Sequence, residues 1–202
     1  MNKSGQSDLF GKTAERRGFL FRKAFSPERK SGSSGEEKIA LWLSENGVFF
    51  RTHGRIAGKG GIKLPIEERE ALVSESLSTL DERVSKTLAK KFPVSRIRPE
   101  LFRYDFLVEG EEAHSGNPRK VHIEYLGLYF PKRAFSAKSL RKRHERAVAY
   151  YTFVKTPLKR ALYEKMGAEV IEILPGELGS LDEILEGLLR ISQKKTTLSG
   201  YF

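Results

Sequence analysis

The sequence predicts an α/β domain, a mixed sheet held between helices, and three observations predict it. Two neighbouring segments, FRYDFLV at 102–108 and VHIEYLG at 121–127, are aromatic and aliphatic enough to be strands, and a polar, turn-rich stretch at 109–120 joins them. A third apolar run, AEVIEIL at 168–174, reads as a further strand. On both sides of these strands apolar residues recur at three- and four-residue intervals, the period of a helix buried along one face.

The elements follow in order. Residues 1–32 form a basic arm in which Arg16, Arg17, Arg22, Lys23, Arg29 and Lys30 alternate with Ser and Gly. Such an arm is either a solvated tail or a strap along a phosphate backbone. Residues 36–46 read as a helix: Ser33 or Ser34 caps it, Glu36 and Glu37 suit its positive end, and Ile39, Ala40 and Leu43 share a face. Gly47 ends it, and 48–53 is a strand. The glycine-rich basic loop at 54–65 lacks the spacing of a phosphate-binding P-loop. Residues 66–91 read as one long amphipathic helical insertion, with Leu72, Val73, Leu77, Leu80, Val84 and Leu88 on its apolar side. It is suited to reading DNA, to dimerising or to buttressing the core. After the two carboxylate-bearing strands come basic helices at 136–151 and 157–166, divided at Thr156-Pro157, a natural helix start. A closing helix at 181–191 follows the last strand. The predicted organisation is an arm (1–32), one domain (33–191) and a tail (192–202).

Composition narrows the function. With 39% hydrophobic residues, 13 of them Phe, the chain can bury a core rather than stay disordered. The formal charge of +11 points to a polyanionic partner, most simply nucleic acid. The lack of cysteine excludes disulfides, thiolate metal sites and cysteine nucleophiles, and the four His stand at unrelated spacings that do not suit zinc. No apolar run approaches the ~18 residues of a membrane span. The first residues, MNKSGQSDLFGK, lack the apolar stretch of a signal peptide, so an intracellular location, cytoplasmic or nucleoid-associated, is expected.

Asp105 and Glu124 carry the chemistry. Each is a carboxylate set among strand residues that otherwise belong in a core, which is costly unless something positive meets it. Alone, either acid could be a strand-end residue facing solvent. Side by side, two such strands aim both acids at one point, and a hard divalent cation, Mg²⁺ or Mn²⁺, accounts for the pair. Metal held by carboxylates in this way suits phosphodiester hydrolysis. The basic residues Lys132, Arg133, Lys138, Arg141, Lys142, Arg143 and Arg146 follow the second acid directly, and with Arg103 they are candidates for gripping DNA phosphates without reading sequence. Tyr125, Tyr129, Phe130, Phe135, Tyr150 and Tyr151 are interleaved with them, as core or as stacking surfaces.

Over roughly 33–191, apart from the insertion, the chain resembles the PD-(D/E)xK nuclease superfamily, with its restriction-endonuclease-like mixed sheet flanked by helices. SSGEEKIALWL is similar to the family's first core helix, whose acid can join the metal site; that nominates Glu36, with Glu37 as the fallback. RYDF is similar to the strand with the family's Asp, and IEYLG to the strand with its second acid. The resemblance implies a backbone carbonyl at Tyr125 as a further metal ligand. A strict motif has Lys two residues after the second acid, where this chain has Leu126. In a branch found on certain helicases the lysine lies on the following helix, in a Lys-x-x-x-Tyr-x-x-x-Gly pattern. KRALYEKMG matches that form and nominates Lys159, with Lys155 as the fallback. His122 either lines the site or is a partly buried histidine.

In the tail, Leu198, Tyr201 and Phe202 put an aliphatic and two aromatic residues on one side of a helical turn. They resemble the peptide with which DNA-processing proteins bind a sliding clamp, although Lys195 stands where that motif has Gln. The resemblances together imply a Mg²⁺- or Mn²⁺-dependent DNA endonuclease of repair, recombination or replication processing, leaving 5′-phosphates. The alternative is a catalytically silent DNA-binding or clamp-associated adaptor with the same fold. Substrate structure, RNA against DNA, and a homodimer all stay open at this point.

Overall fold

The computed structural model describes residues 33–56 and 62–192. The predicted basic arm and the tail residues Leu198, Tyr201 and Phe202 lie outside the described residues.

A mixed sheet forms the middle layer. Strand β1 (Phe50–Thr52) pairs antiparallel with β2 (Phe106–Glu112), and β2 pairs antiparallel with β3 (Pro118–Tyr125). β3 then runs parallel to β4 (Glu169–Ile173), giving the order β1-β2-β3-β4. A two-residue strand, β5 (Ile191–Ser192), adds to the far end of β2. The hairpin between β2 and β3 is tighter than the sequence predicts. Pairing runs out to Glu111↔Pro118, and Gly116 takes a positive φ of 68° in the turn. Glu109, placed in the turn by sequence, is instead in the ladder, facing Lys120 and in ion pairs with both Arg51 and Lys120. A parallel neighbour such as β4 requires a long crossover, and the helices between 139 and 165 provide it.

Strand alternation divides the side chains between two cores. On one face, Phe106, Val108, Val121, Ile123 and Ile173 pack against Ile39, Trp42 and Leu43 of helix α1 (Ser34–Glu45) and against Leu181, Leu185 and Leu188. The Trp42 indole N–H donates to the Asp182 carboxylate at 2.6 Å, tying α1 to the C-terminal segment. The predicted closing helix is a short α-helix (Leu181–Leu185) that tightens into a 3₁₀ turn (Glu186–Arg190).

On the other face, Leu107 meets the insertion and the crossover helices. The insertion is two helices, α2 (Ile66–Ser78) and α3 (Glu82–Lys91), where the sequence predicts one. Asp81 makes the break: its carboxylate accepts from the Arg83 backbone N–H at 2.9 Å and caps α3. Val73, Leu77, Val84 and Leu88 are buried with Leu158 and Leu162 of the crossover. Of the three roles open to the insertion, buttressing the core is the one these contacts serve. Leu88 is completely buried, so Leu88→Ala is expected to cost about 2–5 kcal/mol in urea denaturation. A near-neutral result would show that the insertion folds independently of the sheet.

The crossover is also more continuous than predicted. Helix α4 (Arg143–Tyr150) passes through a π-helical turn (Tyr151–Lys155) directly into α5 (Thr156–Lys165). Pro157 sits in the first turn of α5, where its missing N–H costs little, so it does not divide the two segments. Among the described residues, no helix is long and apolar enough to cross a membrane.

Candidate active site

The β2–β3 register decides whether the two acids meet. Phe106 faces Ile123, so one step further along the antiparallel pair Asp105 stands opposite Glu124. Directly opposed residues share a face of the sheet, and Asp105 and Glu124 therefore converge. Asp105 lies just before β2, and its carboxylate accepts from the Tyr125 backbone N–H at 2.8 Å, which fixes the approach of the two strands.

Glu124 is the most constrained of the acids, only 2% exposed. One oxygen accepts from the Lys159 ammonium and the other from the Tyr163 hydroxyl. Lys159 is itself 4% exposed, so this is a buried ion pair and not a solvated helix lysine. Burial pushes the Glu124 carboxyl up to about 7, outweighing the pull of Lys159, and the neighbouring Asp105 pushes the same way.

A single stripe of α5 and the turn before it supplies these partners. Tyr151, Lys155, Lys159 and Tyr163 are four residues apart. On a regular α-helix each four-residue step drifts by about 40°. The wider π turn at Tyr151–Lys155 carries more residues per turn and works against that drift, so Tyr151 stays with the others. The Tyr151 hydroxyl donates to the Tyr125 carbonyl at 3.4 Å, and the Lys155 ammonium lies 4.9 Å from the centre of the Tyr151 ring. Burial and then Lys159 hold the Lys155 ammonium below its ordinary pKa, while Asp105, Glu124 and Glu36 pull it back up. Burial is also the main cause raising the phenols of Tyr151 and Tyr163, which remain protonated donors.

The third acid arrives from the opposite layer. Glu36 is in the first turn of α1, whose end is capped by Ser33: the Glu36 backbone N–H donates to Ser33 Oγ at 3.3 Å. Burial, and next Asp105, raise the Glu36 carboxyl's pKa, and Ser33, at the end of the helix, draws it partly back down. Glu37, the fallback, is exposed. α1 can come this close because Gly35 is buried flat against the Tyr125 ring, which Gly127 also abuts. A Cβ on Gly35 would overlap the ring, so Gly35→Ala is expected to destabilise by about 1–3 kcal/mol in thermal unfolding and to displace Tyr125. An unchanged melting curve would mean that α1 is not seated on that ring.

His122 is a core residue. It is 5% exposed, its ring lies 5.4 Å from Tyr104 and 4.9 Å from Tyr163, and burial lowers its pKa to about 4. Tyr163 has no site role in the sequence reading, and Tyr151 figures there only as a core or stacking aromatic; the structure sets both beside the acids. Their signal was the four-residue spacing from Lys159.

The basic surface is partly committed elsewhere. Arg103, Lys132, Lys138, Arg141, Lys142 and Arg143 are exposed and make no ion pair among the described residues. Arg133 instead pairs with Glu145 at 2.6 Å and lies over Phe130 and Phe135. Arg146 donates to the carbonyls of Leu140 and Arg141, at 3.2 and 2.6 Å. Both secure the loop before α4. Two of the predicted stacking aromatics are similarly used: Tyr129 is covered by Arg160 and Phe135 meets Phe153, whereas Tyr150 lies beside Phe92 and stays half-buried.

For a cation, the donors are hard oxygens: the second oxygen of Asp105, the Glu36 carboxylate and the Tyr125 carbonyl. Glu124 has only the remaining lone pairs of oxygens already engaged by Lys159 and Tyr163. Among the described residues no three His, Asp or Glu side chains stand together at metal-holding distance. The donor chemistry nevertheless fits Mg²⁺ or Mn²⁺, and the mutual repulsion of Asp105, Glu36 and Glu124 is what such an ion relieves. No family model, no curated protein and no solved structure matches the chain.

Proposed function

We propose that this protein is a metal-dependent deoxyribonuclease of the PD-(D/E)xK type, hydrolysing phosphodiester bonds in DNA repair, recombination or replication processing. The observation that supports it is the register placing Asp105 opposite Glu124, with Lys159 buried against the pair. Asp105, Glu36 and the Tyr125 carbonyl would hold Mg²⁺ or Mn²⁺, with Glu124 at the edge of that set. The ion, when bound, supplies Lewis-acid stabilisation of the phosphoryl oxygens and lowers the pKa of an attacking water. Lys159 offers a fixed positive charge beside the acids, suited to countering charge that develops on phosphorus. Tyr163 holds Glu124 in orientation, and Tyr151 steadies the Tyr125 carbonyl. The exposed Arg103, Lys132, Lys138, Arg141, Lys142 and Arg143 provide the sequence-independent grip on phosphates.

The test is incubation of the full chain with supercoiled plasmid, linear duplex and branched DNAs, with Mg²⁺ and with EDTA. Nicking or cutting that needs Mg²⁺ and leaves 5′-phosphates is the expected result. One observation favours a second reading, a non-cutting DNA-binding adaptor: both Glu124 oxygens are already satisfied within the protein. DNA binding without cleavage on any of these substrates would select it. A sliding clamp remains a proposed partner of the tail, tested by clamp pull-down with and without the last eight residues.

A further inference from the structure

A groove outside the candidate active site combines two properties that rarely meet on a surface. It encloses about 510 Å³ where the end of α3 meets the turns that lead to β2. Its rim carries Lys91, Arg96 and Arg98, all exposed, and none pairs with a carboxylate among the described residues. Its floor is apolar: Phe92 and Tyr150, with ring centres 4.6 Å apart, and Leu101, left 46% exposed. Three unneutralised cations call for an anion, and the floor calls for a flat apolar group carried with that anion.

We propose that this groove binds an unpaired nucleic-acid strand, with a base against Phe92, Tyr150 and Leu101 and flanking phosphates on Lys91, Arg96 and Arg98. A single strand presents phosphates and free base faces together. A duplex keeps its bases stacked inside, so its phosphates could reach the rim while the floor stayed uncovered. The groove is also close to the acids along the chain. Phe102, in its wall, is three residues before Asp105, a span of at most roughly 10 Å of extended chain. Tyr150 immediately precedes Tyr151, which touches the Tyr125 carbonyl. Where this rests on the nuclease reading, it names the substrate class: DNA with a single-stranded segment beside the bond to be cut. Binding by the groove does not depend on cleavage.

The test is fluorescence anisotropy of the full chain in EDTA with three labelled probes: an oligothymidylate, a duplex and a poly-glutamate peptide. The wild type is compared with Arg96→Ala/Arg98→Ala. The double variant is expected to weaken oligothymidylate binding about tenfold or more at moderate salt, and to reduce the slope of log affinity against log salt by about 1.4, the share of two single-strand phosphate contacts. Duplex binding should change by less than about twofold, since it rests on residues 132–143 and Arg103. In EDTA the readout is binding alone, so it stands even if no DNA is ever cut, and failure of the nuclease reading is seen separately in the Mg²⁺-dependent cleavage assay. Unchanged oligothymidylate affinity and slope in the double variant would overturn the proposal. So would an equal loss on the duplex, or tighter binding of poly-glutamate than of oligothymidylate.

Discussion

Replacing Lys159 with methionine is expected to lower the stability of the protein by about 3–5 kcal/mol at pH 7–8, the usual cost of removing one partner from a buried ion pair. Lys159 and Glu124 are 4% and 2% exposed, and without the ammonium Glu124 retains only the Tyr163 hydroxyl. The loss must shrink in acid, because Glu124 can become neutral by taking a proton. The Glu124 carboxyl is already raised from its ordinary 4.5 to about 7 in the folded protein. The folded form therefore keeps a proton that the unfolded chain has released, and stability declines as pH rises from about 4.5 to about 7. That decline amounts to on the order of 3 kcal/mol in the wild type. In Lys159→Met it should continue above pH 7, since the main attraction lowering the carboxyl is gone. Denaturant titrations across pH 4–9 measure it. A loss of the same size at every pH would show that Lys159 acts by packing and not by charge. In Lys159→Met/Glu124→Gln no charge is left buried, so this double variant should recover much of the stability at neutral pH.

Replacing Asp105 with alanine should have the opposite profile, a small effect on folding and a large one on activity. Asp105 is only half-buried, and the one hydrogen bond it accepts among the described residues, from the Tyr125 N–H, contributes about 1 kcal/mol. Removing its charge also relieves repulsion on Glu36 and Glu124, which offsets part of that loss. Yet Asp105 keeps one carboxylate oxygen outside its hydrogen bond to the Tyr125 N–H, placed to meet a cation. Under the proposed metal-dependent cleavage, losing an ion that contributes several kcal/mol of transition-state stabilisation should slow the reaction about a hundredfold or more. The comparison is a nicking time course beside a thermal melt. A folded variant that cuts at the wild-type rate would remove Asp105 from the proposed chemistry.

The strands are legible because each is a short, nearly continuous apolar run, buried on both faces between helices. FRYDFLV and VHIEYLG each contain a carboxylate in phase with core residues, and that phase is what brings Asp105 opposite Glu124. Lys159 was nominated by a pattern in sequence, but its burial follows from the packing of α5 on the sheet, which periodicity does not report. The boundaries were less legible. The break at Asp81 is written in its capping carboxylate, but the apolar spacing from Leu72 to Leu88 runs through it unbroken. The π turn at Tyr151–Lys155 has no local sequence signature; Thr156-Pro157 suggests a new helix, while the backbone carries on through it. Arg133 and Arg146 looked like phosphate ligands because composition cannot tell a cation that faces solvent from one that holds a loop. The groove beside Phe92 is lined almost wholly by the single stretch 91–102, with Tyr150 from α4 closing it; the basic and apolar residues are visible in the sequence, but that they share one concave face is not.

The central proposal is that Asp105, Glu36 and the Tyr125 carbonyl, with Glu124 at the edge of the set, would hold a hard cation next to Lys159. Calorimetric titration of Mn²⁺ into the wild type and into Asp105→Ala at mildly alkaline pH, where Glu124 is ionised, tests it most directly. The account predicts saturable binding to the wild type that is lost or greatly weakened in the variant. Heat that is absent from the wild type, or identical in the two proteins, would contradict it.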